Sequence, residues 1–243
     1  MCYSTSLRKD RKEVEKKLLS LMPGNFKIPE EFQKYYHLNG FTHGNLYIIK
    51  MDKKDEVYPA SWGLVPEWAN KNPDAFLKKS NTLNARSETI FETPSFKKSA
   101  NNKRCLILAD GFYEPHHENG IAMPYFCYQP TKAYTEGDLF MFAGLYSELE
   151  NKTFTATIIT TKANEFFAEV HNKRKRMPLV LAEHLYQDWL DDALSVQSLK
   201  ELMFKGFSKN EFKAHPVSRD FFKKDKNTNK PYIVEPVENY KLF

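Results

Sequence analysis

Residues 104–115 read RCLILADGFYEP, a short apolar run closed by Asp110–Gly111 and followed by Glu114. An apolar run of this length ending in an Asp-Gly pair reads as a buried strand entering a turn that presents the glutamate. Segments of the same kind recur at residues 46–50, 60–65, 125–129, 139–146 and 154–161, separated by Asn, Asp, Gly and Pro. Such a series pairs mostly antiparallel. Ahead of it, Val14, Leu18, Leu21 and Met22 recur at helical spacing among charges between Leu7 and Met22, and Pro23 with Gly24 stops the pattern. Behind it, helical spacing returns at residues 164–170, 182–190 and 195–204. With no Gly- or Ser-rich linker and no internal repeat, the expectation is one α+β domain over residues 1–243. Mostly antiparallel twisted sheets form its barrel-like core, several helices flank it, and the polar, basic tail at 208–230 belongs to it.

Composition narrows the function classes. The chain is 41% hydrophobic and 28% charged, values of an ordinary globular protein rather than a disordered or fibrous one. Its net charge of +5 permits a polyanionic partner without requiring one. The charge is uneven, with Lys173, Arg174, Lys175 and Arg176 forming an unbroken basic run, which singly is most often solvated surface. Three cysteines with no CxxC spacing suggest neither a disulfide framework nor a zinc site, and a reducing, cytoplasmic setting is expected. Leu7 is followed at once by Arg8, Lys9, Asp10, Arg11 and Lys12, so no signal core is expected, and no apolar run approaches a membrane span.

Cys2 stands directly behind Met1. Loss of that methionine leaves a 1,2-aminothiol, in which amine and thiol share one residue. This pair can condense with an aldehyde through an imine to a thiazolidine, or act as an N-terminal nucleophile on an acyl group. Elsewhere, polar or special residues are denser than a core needs. WGLVPEW (62–68) ends a strand in a Pro turn between two tryptophans, and NARSET (84–89) sets Asn84 two residues from Arg86. HNKRKRMPLVL (171–181) places His171 at a helix end before the basic run. Taken singly, each has a structural explanation: a turn cap, a solvated glutamate, a surface histidine.

Taken in order behind Cys2, WGLVPEW, NARSET, ADGFYE, FAGLY (142–146), TIIT (157–160), the His171-to-RMPLVL segment and HPVS (215–218) resemble the SOS response-associated peptidase family, sensors of abasic sites in single-stranded DNA. The resemblance spans nearly the whole chain. It implies autocatalytic removal of Met1, a thiazolidine crosslink from Cys2 to the ring-opened abasic sugar, and no metal or organic cofactor. It further implies that Asn84 holds the N-terminal amine, Glu114 shuttles protons, and His171, with an ordinary pKa near 6.5, protonates the sugar ring oxygen. Arg86 would grip a phosphate beside the lesion. Pro66 and Trp68 would lie against flanking bases, while Thr160 and Arg176 would make further contacts. The expected partner is single-stranded DNA containing abasic sites, bound by a monomer with no membrane association.

Three departures stand out. Many members carry Gly-Arg after the cysteine where this chain has Tyr3 and Ser4, Trp after the glutamate where it has Pro115, and a shorter His-to-Arg spacing. The longer loop, with Lys173, Arg174 and Lys175, is expected to replace the absent arginine in holding DNA. Two other readings remain open at this level: an N-terminal-nucleophile thiol hydrolase acting on other amide substrates, and a single-strand binding module in which the cysteine is incidental. Cys105, Cys127, Trp62, Trp189 and Phe142 read as packing.

Overall fold

Asp10 separates the first strand from the first helix. Its carboxylate accepts from the Glu13 amide and the Glu13 side chain accepts from the Asp10 amide, a reciprocal cap that starts the helix at Arg11. The helix expected from Leu7 therefore begins later, and residues 4–7 extend as a strand instead. The computed structural model describes residues 2–209 and 211–237. In chain order its elements are β1 (Ser4–Leu7), α1 (Arg11–Leu21), β2 (Tyr35–Asn39), β3 (Asn45–Lys50), β4 (Lys53–Trp62), α2 (Pro73–Lys79), β5 (Asn84–Arg86), α3 (Lys97–Asn102), β6 (Arg104–Ala109) and β7 (Gly111–Glu118). There follow β8 (Ile121–Tyr128), β9 (Phe140–Glu148), β10 (Phe154–Lys162), α4 (Glu165–Val170), β11 (Arg176–Pro178), α5 (Tyr186–Trp189), α6 (Val196–Lys205) and β12 (Lys213–Pro216).

Strand β10 organises the larger sheet. One of its edges pairs antiparallel with β9 over Phe154–Ile158 and then with β11 over Thr160–Lys162; the other pairs parallel with β4 and then with β5. Because β4, β3, β6 and β9 also pair in series, these strands return to β10 as a closed ring, which removes the edges an open sheet would expose. This is the barrel-like α+β architecture expected of the sequence. A second sheet runs β12-β8-β7-β1-β2.

The Asp110–Gly111 pair is not a hairpin turn but the crossing from one sheet to the other, since β6 lies in the ring and β7 in the second sheet. The Asp110 carboxylate fastens the crossing by accepting from Ser6 Oγ at 2.6 Å, the Arg8 amide at 2.7 Å and Arg8 Nε at 3.2 Å. Gly111 is required there, because a Cβ would overlap the Phe126 ring. Glu114 consequently sits within a strand, fully enclosed.

Buried strands in the ring serve two apolar clusters by alternation. On β6, Leu106 and Leu108 face a cluster with Val14, Leu18 and Trp189, while Cys105, Ile107 and Ala109 face another with Phe112, Phe142 and Cys2. That two-sided burial is why the segment reads as an unbroken apolar run. Trp62, Trp189, Phe142, Cys105 and Cys127 are all buried, as expected. The basic tail contains a strand: Lys213–Pro216, which take in the first two residues of HPVS, form β12 and pair with β8 from Lys213↔Tyr128 to Pro216↔Tyr125.

Candidate functional site

Cys2 precedes β1, and the pairing Thr5↔Phe112 and Ser6↔Gly111 lays the N-terminal segment along β7, which carries Glu114. Gly40 N donates to Tyr3 O at 2.8 Å, and Asn84 Nδ2 donates to Cys2 O at 2.8 Å. Asn84 itself is held by β5, parallel to β10 through Asn84↔Ile158. In the chain that begins at Met1, Asn84 thus fixes Cys2 through its carbonyl rather than its amine. Asn84 Oδ1 is buried with no hydrogen-bond partner among the described residues, an acceptor available for an amine. The Cys2 thiol donates to Ser4 O at 3.5 Å.

His171 closes the cluster from the far side. It is the C-cap of α4, whose N-cap Asn164 accepts from Phe167 N. Its Nδ1 lies 3.0 Å from the Arg176 carbonyl oxygen and 3.1 Å from Glu114 Oε2. A carbonyl oxygen only accepts, so Nδ1 carries the proton and gives it to the Arg176 carbonyl, with Glu114 Oε2 standing close beside it. Four residues, from the segment before β1, from β5, from β7 and from the C-cap of α4, scattered through the sequence, therefore converge on one buried point.

Burial sets the protonation states there. It pushes the Cys2 thiol well above its usual range, with the Glu114 charge acting in the same direction, so the thiol is protonated at neutral pH. It raises Glu114 to about 7 and lowers His171 to about 4. His171 is therefore neutral near pH 7, not the partly charged imidazole expected from its ordinary pKa. The two shifts act on stability with opposite sign. Below 4.5 the Glu114 contribution is fully present, and it is lost as pH rises through 7; the His171 contribution is fully present above 6.5 and is lost as pH falls through 4. In the wild type they largely offset. Glu114→Gln leaves the histidine contribution alone, so its melting temperature is expected to fall more steeply than the wild type's on acidification from 6.5 to 4.5. Parallel melting curves across that range would contradict the assignment.

The residues expected to touch DNA divide into two groups. Arg86 is exposed beside the cluster, and its charge and that of Arg174 both reach Tyr3, whose hydroxyl bonds Asn81. Arg174 also lies within electrostatic reach of His171, and Lys173 and Lys175 are exposed on the same loop. The loop is anchored from below, where His117 N donates to Asn172 Oδ1 at 3.0 Å and Asn172 Nδ2 returns to His117 O at 2.8 Å. Arg176 and Thr160 are engaged internally instead. Arg176 pairs bidentately with Glu88 at 2.5 and 3.1 Å and donates to Thr160 O at 2.7 Å, and Thr160 is fully buried.

Trp68 is 66% exposed and set edge-on to Phe76. The strand end leading to it is tied to Thr155, three residues along β10 from the partner of Asn84, a distance of about 10 Å. Pro66 is buried and lines, with Trp68, Pro94, Lys98 and Lys103, a groove of about 330 Å³.

The family profile of the SOS response associated peptidases (SRAP) matches residues 1–224. This chain belongs to the SRAP family. The SRAP relative named abasic site processing protein YoqW, from Bacillus subtilis, is 32% identical over 197 residues, covering 78% of this chain and 81% of that protein. The abasic site processing protein HMCES of Xenopus tropicalis is 33% identical over 160 residues, which is 58% of this chain and 47% of that longer protein. Among solved structures, a crystal structure of a protein from Bacteroides thetaiotaomicron superposes with a TM-score of 0.82 at 30% identity, over 97% of this chain and 100% of that one. Within this SRAP chain, two features near Cys2 escaped the sequence reading. Phe41, 60% exposed, packs on Tyr3 at 4.9 Å, and Cys127 is close enough for the Glu114 charge to act on its thiol. An exposed aromatic in the polar stretch LNGFTHGN was the available signal for the first; strand register, invisible in sequence, decides the second. Among the described residues no helix is long and apolar enough to cross a membrane.

Proposed function

We propose that this SRAP protein processes abasic sites: it hydrolyses its own Met1–Cys2 bond and links Cys2 covalently to the ring-opened sugar in single-stranded DNA. The convergence of Cys2, Asn84, Glu114 and His171 carries this reading. While Met1 is attached, the Cys2 nitrogen is a peptide nitrogen and no imine can form, so hydrolysis of that bond, consuming one water, comes first. The freed amine then adds to the aldehyde carbon, water leaves to give the imine, and the thiol adds to the same carbon as its proton passes to nitrogen. The crosslinking itself releases one water, which balances the one consumed in removing Met1. Each step moves a proton between groups near Cys2, and a carboxyl with a pKa near 7 both donates and accepts at neutral pH. Asn84 holds the cysteine in place, and neutral His171 stands beside the carboxyl group, able to exchange a proton without carrying a permanent charge.

Arg86 and the loop 173–175 are the backbone-binding groups in this proposal. Lys173, Arg174 and Lys175 changed together to Ala are expected to weaken single-strand binding and to flatten the slope of log affinity against log salt by about 2. An unchanged slope would assign those charges to solvated surface. The reading as a whole is tested by incubating the protein with an oligonucleotide bearing one abasic site, with the intact oligonucleotide, and with one whose abasic aldehyde has been reduced to the alcohol. A covalent complex with the first alone is expected. Equal complex with the reduced sugar, or cleavage of added peptides without DNA, would move the chain to the hydrolase reading.

A further inference from the structure

Next to Arg86, a groove of about 750 Å³ runs from Ser87 past Lys162 and Ala163 to the last turn of α6. There Phe204 is 85% exposed, with Lys200 one turn before it. Met177, Met203 and Phe207 form the groove's apolar lining. Its acidic member, Glu88, is already neutralised by Arg176. Lys162 and Lys200 make no ion pair among the described residues, so the charge offered to a ligand is positive. A large ring this exposed contributes little burial to the fold, and beside two ammonium groups with no acidic partner, that of Lys200 lying 5.9 Å from the Phe91 ring, it has the make-up of a stacking platform on a backbone track. The groove is also continuous with the site. It begins at the residue after Arg86, and its Ala163 amide donates to Lys175 O at 3.0 Å, at the root of the basic loop.

We propose that this groove carries the single strand flanking the lesion, with one unpaired base stacked on Phe204 and the backbone running between Lys162 and Lys200. The proposal rests on the reading of the chain as a single-strand binder. It adds a second stacking surface to the one expected at Trp68, whose strand end is tied to Thr155 near the other end of β10.

The test measures affinity for a fluorescent oligothymidylate with no abasic site, using the full chain and its Phe204→Ala, Phe204→Trp and Lys200→Ala variants. Alongside it runs the crosslinking rate on an abasic oligonucleotide with minimal flanks. Phe204→Ala is expected to weaken binding of the long strand on the order of tenfold, Phe204→Trp to retain it, and Lys200→Ala to flatten the salt slope by about 0.7. All three are expected to crosslink the minimally flanked substrate at the wild-type rate. If Phe204→Ala and Lys200→Ala bind the long strand as the wild type does while the wild type crosslinks, the groove proposal fails and the function stands. If the wild type binds the strand with this pattern but forms no crosslink, the groove stands and the covalent reading fails. A change of sedimentation mass on Phe204→Ala would make the groove a contact between copies of the chain and overturn the proposal.

Discussion

Cys2→Ala is expected to form no stable covalent complex with an abasic single strand under conditions where the wild type reacts to completion. The alanine variant still presents an N-terminal amine once Met1 is removed, so imine formation remains open to it. What it lacks is the sulfur that closes the ring on the imine carbon. Cys2→Ser separates the two stages: an imine trapped by borohydride is expected, with no adduct surviving in the absence of reductant. A stable adduct on the alanine variant would place the chemistry on another residue. Cys105 and Cys127 are fully buried in the strands of the two sheets and carry no free amine, so neither can substitute.

Glu114→Gln is expected to slow crosslinking by a hundredfold or more, in the range general acid–base groups contribute, with binding of intact single strands unchanged. Glutamine keeps the shape and the approach to His171 but cannot exchange a proton. The wild-type rate should peak between about 7 and 8: the α-amine gains reactivity as pH rises toward its reference pKa near 8, while Glu114 loses its proton above about 7. Initial rates across this range check both points. A variant with wild-type rate and an unaltered profile would leave Glu114 a structural carboxyl group.

The strands of the ring were legible because burial on both faces writes itself as continuous apolar sequence, as in RCLILA and FMFAGLY. β1 and β2, STSL and YYHLN, were not, since short polar-looking strands gain their identity from pairing with each other and with β7. Asp110–Gly111 carries a turn signal in sequence, yet its role as a crossing between sheets depends on Arg8 and Ser6, about a hundred residues earlier, reaching its carboxylate. The site shows the same division. Cys2, Asn84, Glu114 and His171 could be named from motifs, and the fold brings them together. The lowered pKa of His171 and the engagement of Arg176 by Glu88 follow from tertiary closure, which no local pattern records.

Intact mass of the purified protein, before and after incubation with a uracil-containing single strand treated with uracil glycosylase, tests the central claim most directly. The account predicts a starting mass lacking Met1 and a product equal to protein plus oligonucleotide less one water. A protein that retains Met1 yet forms the adduct, or one that has lost Met1 and forms none, would contradict it.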